Sequence, residues 1–131
     1  MTKEKLIQDC LRLPDSYLDH PYGAFADVIK NKAGKSFAVI GILTDKDIKS
    51  IKKNCDANAP IAEGDINITL KCPPELIHPL REKYAAVIPG YYSNRNHWNT
   101  VILNKDVPYD EIFKMVQLSY DSVTPKGKSK K

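Results

Sequence analysis

Cysteine is scarce in this sequence. Of 131 residues only Cys10, Cys55 and Cys72 are cysteine. The number is odd and no CxxC spacing occurs, which argues against a secreted disulfide framework or a zinc ribbon. Three reduced thiols in the cytoplasm are expected, two of them packed as small apolar groups. Long apolar runs are also missing. The longest, Phe37 to Leu43, spans seven residues and includes Gly41, far below the ~20 residues of a membrane span. The start, Met1-Thr2-Lys3-Glu4-Lys5, has no apolar signal core, so neither export nor a membrane partner is expected. Catalytic templates are absent too: no HExxH, no GxSxG and no glycine-rich phosphate loop. His20, His78 and His97 are widely spaced. Cys72 would need a base beside it to act as a nucleophile, and Asp19-His20 is one candidate pair. The expectation is a non-enzyme without cofactor or bound metal.

Charge of one sign is nearly absent from the body of the chain. Of 20 Lys and Arg residues, four lie in the last six positions, so the remainder carries 16 basic against 16 acidic residues. The net charge of +4 therefore belongs to a tail, residues 125–131, whose Lys, Gly and Ser content predicts disorder. What is present, 42% hydrophobic and 27% charged residues, is the balance of a globular domain. A single domain over residues 1–124 is expected, with a monomer favoured.

Helical spacing of Leu6, Ile7, Cys10, Leu11 and Leu13 behind Thr2, a candidate N-cap, predicts a first helix ending at Pro14. Asp15 to Gly23 reads as a structured loop. Phe25 to Lys32 and Lys35 to Leu43 flank Ala33-Gly34 as a hairpin, and the second run, apolar on both faces, fits a central strand. Ile48 and Ile51 behind Asp45 suggest a short helix. Ile66, Ile68 and Leu70 alternate with polar residues as a strand. A helix opens at Pro73-Pro74-Glu75, carries Leu76, Ile77, Leu80 and Tyr84, and contains Pro79, which should delete one backbone hydrogen bond and bend the axis. Val87-Ile88 leads into a turn at Pro89-Gly90, and Trp98 to Leu103 forms a strand. A last helix from about Pro108 to Val123 has Ile112, Phe113, Val116, Tyr120 and Val123 as its apolar stripe. The short gaps predict an α+β fold: an antiparallel sheet with helices packed on one face, and helices at both ends.

The densest polar-aromatic run is Pro89-Gly90-Tyr91-Tyr92-Ser93-Asn94-Arg95-Asn96-His97-Trp98-Asn99-Thr100. Tyr and Trp offer flat faces for stacking, Arg a forked donor, and Asn a donor and acceptor together. The same residues also suit a purely structural role, because Asn and Gly are ordinary turn residues and Trp98 can anchor a strand.

This run, with Ile68-Thr69-Leu70-Lys71-Cys72-Pro73-Pro74-Glu75-Leu76 before it, resembles the MmcQ/YjbR family. So do Pro21-Tyr22-Gly23, Gly34-Lys35-Ser36-Phe37-Ala38 and Ser119-Tyr120-Asp121-Ser122-Val123. His97-Trp98-Asn99-Thr100 is the most specific match. The family often has histidine where this chain has Tyr92, and Asp45 to Glu63 is longer than the family pattern. The resemblance implies a CyaY-like (frataxin-like) fold and a DNA-binding assignment. Iron handling is not expected, because the first helix holds only Glu4 and Asp9, interleaved with Lys3 and Lys5, where hard cations need several oxygen ligands. The expected function is weak, non-sequence-specific DNA binding through Lys71, Tyr91, Tyr92, Asn94, Arg95, His97, Trp98, Asn99 and Lys105, with phosphate contacts supplying affinity and aromatic rings stacking on bases. The alternative is a small-ligand or protein-interaction module that uses the run 91–98 without catalysis.

Overall fold

The computed structural model describes residues 2–21, 23, 26–55, 57–90 and 97–123. Thr2 does cap the first helix, α1 (Lys3–Cys10), its hydroxyl accepting from the Lys5 amide at 3.2 Å. The helix ends earlier than Pro14 alone would dictate. Arg12 and Leu13 donate to Asp9 and Cys10 instead, three residues back, so the chain tightens into narrower turns before the proline arrives.

Beyond α1 come β1 (Tyr17–Asp19), β2 (Asp27–Lys30), β3 (Ser36–Ile42), α2 (Asp45–Asn54), β4 (Ile66–Lys71), α3 (Pro74–Lys83), β5 (Val87–Pro89), β6 (Trp98–Ile102) and α4 (Tyr109–Val123). The strands form one six-stranded sheet in the order β1-β2-β3-β4-β6-β5, antiparallel at every pairing. This is the α+β arrangement the sequence predicts, with β3 central. Both edge strands correct the sequence reading. β1 lies in the stretch read as loop, and β5 in the stretch read as a lead into a turn. Each has three residues, too short for a period of two to register. Pro89, at the end of an edge strand, occupies one of the sheet positions proline tolerates.

The predicted hairpin forms around Asn31. Its backbone and Gly34 close the turn, and Gly34 sits at φ +82°, where a side chain would be strained. The Asn31 side chain, 1% exposed, accepts from the Lys35 amide and donates to the Val123 carbonyl at the end of α4. Just beyond, Ser36 pairs with Lys30 and Ala38 with Ile29, so Phe37 is an extra residue, a β-bulge. A bulge turns two neighbouring side chains toward one face. Phe37 thereby joins Ala38 in the core and meets the Tyr120 ring edge-on, centroids 5.2 Å apart.

Ile29, Ala38, Ile40, Ile68, Leu70 and Val101 line up across the strands on one sheet face and are buried with Leu6 and Cys10 of α1 and Ile112, Met115 and Val116 of α4. The opposite face is not simply polar and solvated as alternation suggests. Asn67, Thr69 and Thr100 are buried on it. Their polar groups are satisfied within the sheet: Thr69 and Thr100 hydroxyls meet at 2.8 Å, and Asn67 donates to the Gly41 carbonyl.

The suggested helix behind Asp45 is α2, fixed by a reciprocal capping box between Thr44 and Asp47. α3 continues through Pro79, which is exposed.

Candidate functional site

β4 and β6 carry the candidate site because their register brings Lys71 opposite Trp98. Cross-strand partners of this kind hold their Cβ atoms about 5 Å apart on one face. Both side chains are half-buried. Neighbouring residues on β6 point alternately, so Asn99 turns to the helix-covered face, 3% exposed, while His97 just before the strand is exposed.

Asn99 is held by a residue the sequence reading did not single out. Arg81 of α3 donates from Nε to Asn99 Oδ1 at 2.7 Å and from its terminal nitrogen to the Trp98 carbonyl at 3.3 Å. Only an exception to the solvated fate of a helix-end arginine marks it, and eighteen intervening residues hide the pairing. The other Asn99 amide group, Nδ2, is buried with no hydrogen-bond partner among the described residues. Asn99 also lines, with Leu70, Cys72, Leu80, Met115 and Leu118 among others, a small cavity of about 10 Å3 whose exposed wall is apolar.

The His97-Trp98-Asn99-Thr100 motif is thus largely occupied by the fold. The His97 carbonyl accepts from the Cys72 amide at 2.7 Å, the Trp98 carbonyl and Asn99 amide take Arg81, and Thr100 takes Thr69. What remains outward is the His97 ring and part of the indole. Burial pushes the Cys72 thiol up to about 11 despite the opposing pull of Arg81, so it is a protonated packing group rather than an activated nucleophile.

Lys105 does not join Lys71. It pairs with Asp65 at 3.3 Å, beyond the far end of the β4–β6 ladder, whose last pair, Asn67 with Ile102, is four residues or roughly 14 Å from the Lys71–Trp98 pair at about 3.4 Å per residue. Tyr91, Tyr92, Asn94 and Arg95 lie outside the described residues. Asp19 and His20 also part company. Asp19 accepts from the His20 backbone and from Lys30, while the imidazole Nε2 lies 2.7 Å from Asp27, whose other oxygen takes Lys3. Asp9, one of the two carboxylates of α1, is buried and already engaged by Lys5, Arg12 and the Tyr109 hydroxyl.

One antiparallel sheet with terminal helices and a helix-anchored β6 strand defines a small α+β domain, in which strand pairing sets Lys71 opposite Trp98 at one end. The YjbR family profile matches residues 11–122, and the chain belongs to that family. It is 36% identical over 58 residues to the Bacillus subtilis (strain 168) protein YyaQ, covering 44% of this chain and 48% of YyaQ. To Escherichia coli (strain K12) YjbR it is 38% identical over 53 residues, 40% of this chain and 45% of YjbR. The matched segment spans about half the length of these relatives, both described as uncharacterised. In structure the chain is similar to a Pseudomonas syringae protein, TM-score 0.75 and 25% identity, covering 95% of this chain and all of that one. A Deinococcus radiodurans DUF419 domain gives TM-score 0.72 at 26% identity over 98% of this chain and 83% of that one.

Proposed function

We propose that this YjbR-family protein binds nucleic acid weakly and without sequence preference, at the end of the sheet where Lys71 and Trp98 are paired. The single observation that carries this reading is the placement of an ammonium and an indole opposite each other on one face. Single strands are bound through that combination, phosphate to cation and base to ring, with stacking contributing about 1–3 kcal/mol per base. The near-neutral body keeps the affinity low, about 10⁻⁴ to 10⁻⁶ M at physiological salt. Asn99 lies on the other sheet face, held by Arg81, and is not a contact in this proposal. Tyr91, Tyr92, Asn94 and Arg95 are further candidate contacts in this proposal, and the working compartment is the cytoplasm. No helix among the described residues is long and apolar enough to cross a membrane.

Trp98 is the sole tryptophan, so its fluorescence reports the site directly. Titrating single-stranded DNA or RNA should quench the emission and saturate, and Lys71→Gln should weaken the titration without changing the urea midpoint. Emission that stays constant while a labelled oligonucleotide binds would place the contact elsewhere. Failure of any oligonucleotide to bind returns the surface to the ligand- or protein-binding alternative.

A further inference from the structure

At the far end of the sheet lies α2, and its surface is unlike the near-neutral body. The helix carries Lys46, Lys49, Lys52 and Lys53 against Asp45 and Asp47. Its inward side is set by Ile48, Ile51 and Cys55, spaced i, i+3, i+7, with Ile51 fully buried and the other two packed against the core. The same spacing displaced around the axis puts Lys46, Lys49 and Lys53 on the opposite, solvent-facing side. All three are exposed. At 1.5 Å per residue the row is about 10 Å long.

The two acids do not neutralise this row. Asp47 turns back to the Thr44 amide and hydroxyl in the capping box. Asp45 meets Lys49 at 3.2 Å, but both side chains are largely exposed, and surface pairs of this kind exchange readily for other partners. Lys46 and Lys53 make no ion pair with another described residue. The acids sit in the first turn and the basic residues run to the last, the order that the helix dipole favours, so the row is a stable presentation of charge on a rigid element.

We propose that the Lys46–Lys49–Lys53 face of α2 is a contact surface for the phosphate backbone of a nucleic acid, separate from the Lys71–Trp98 pair. A straight, rigid row of ammonium groups with no base-reading side chain among them recognises charge and spacing, the basis of sequence-independent binding. A membrane surface is the poorer partner. An interfacial helix sinks its apolar side into lipid, whereas Ile48 and Ile51 are already committed to the protein core. The inference extends the nucleic-acid reading but does not depend on the indole site.

The test is fluorescence anisotropy with a labelled 20-base-pair duplex and the same strand unpaired, at several salt concentrations, using the full chain. Replacing Lys46, Lys49 and Lys53 together by Gln should lower the log–log salt slope on the duplex by about 2.7, at ~0.9 per phosphate contact. The corresponding triple Arg variant should keep the wild-type slope, and circular dichroism should show both variants folded. An unchanged slope in the Gln variant overturns the proposal, as does loss of all binding on deleting residues 125–131. Binding of anionic vesicles that depends on the three lysines, without duplex binding, overturns it in favour of a membrane. Trp98→Ala separates the two sites: duplex binding that survives Trp98→Ala, with a slope still lowered by the triple Gln substitution, supports the helix as a contact of its own, whereas duplex binding abolished by Trp98→Ala alone overturns a separate α2 surface.

Discussion

Asn99 and Arg81 form the most informative pair at the level of single residues. A buried amide is costly unless its groups are partnered, and here Oδ1 is held by a guanidinium while Nδ2 has no partner among the described residues. Arg81→Met keeps much of the stem's packing yet strips Oδ1 and the Trp98 carbonyl of a donor. It should lower unfolding free energy by about 1–3 kcal/mol, the cost of leaving the buried Asn99 Oδ1 without its donor while the Trp98 carbonyl keeps the Gly90 amide, measured by urea denaturation. A loss below a few tenths would mean that the guanidinium only decorates the surface. The consequence for function is indirect but definite: the strand end that presents Trp98 is positioned from α3.

Elements show where the sequence was readable and where it was not. β3, β4 and α4 are legible because their apolar patterns extend over several residues, seven in β3 and fifteen in α4. β1 and β5 are not, since three residues carry no periodicity. Phe37 was readable as apolar, but its direction depends on a bulge whose register is set by β2. Of the candidate site, Lys71 and Trp98 come together because strand pairing aligns them, whereas Lys105 is close in sequence and remote in space. Buried Asn67 and Thr69 read as solvent-facing because cross-strand partners are invisible in a single strand's pattern. Ser119 shows the same gap in α4. It falls between the predicted apolar positions, yet it donates to the Phe37 carbonyl and accepts from the Lys71 amide at 2.9 Å. Its hydroxyl stitches the helix to two strands. Ser119→Ala should therefore cost about 1–3 kcal/mol despite removing one oxygen, because two buried backbone groups lose their partner. Thermal denaturation of this variant beside Ser122→Ala, whose hydroxyl donates to the Leu118 carbonyl within α4, separates that stitching from helix propensity. Equal losses in the two variants would refute it.

For the whole molecule, buried ionisable groups set both limits of the pH range in which the fold is stable. Burial raises the Asp9 carboxyl, but hydrogen bonds from Tyr109 and Lys5 and the charges of Lys5 and Arg12 outweigh it, leaving it below the usual value. Its contribution is fully present above the unfolded-state value of about 3.9 and disappears as pH falls through the lower folded one. The acid limb should thus steepen below about pH 4, and Asp9→Asn should flatten it. At the other limit, burial first and the Asp9 charge second push the Cys10 thiol up to about 12 from an ordinary 9.0. A raised folded value stabilises below the unfolded one and loses that contribution as pH climbs, since the unfolded chain releases its proton first. By pH 10 this single thiol should have taken about 1.4 kcal/mol from the stability held at pH 8, with Cys72, raised in the same direction, adding to it. Urea midpoints at pH 8, 9 and 10 measure the slope directly. Cys10→Ala should lower stability at every pH through lost packing but decline less between pH 8 and 10. An identical alkaline decline in that variant would show that Cys10 ionises freely in the folded protein, and that α1 does not seal it against the sheet.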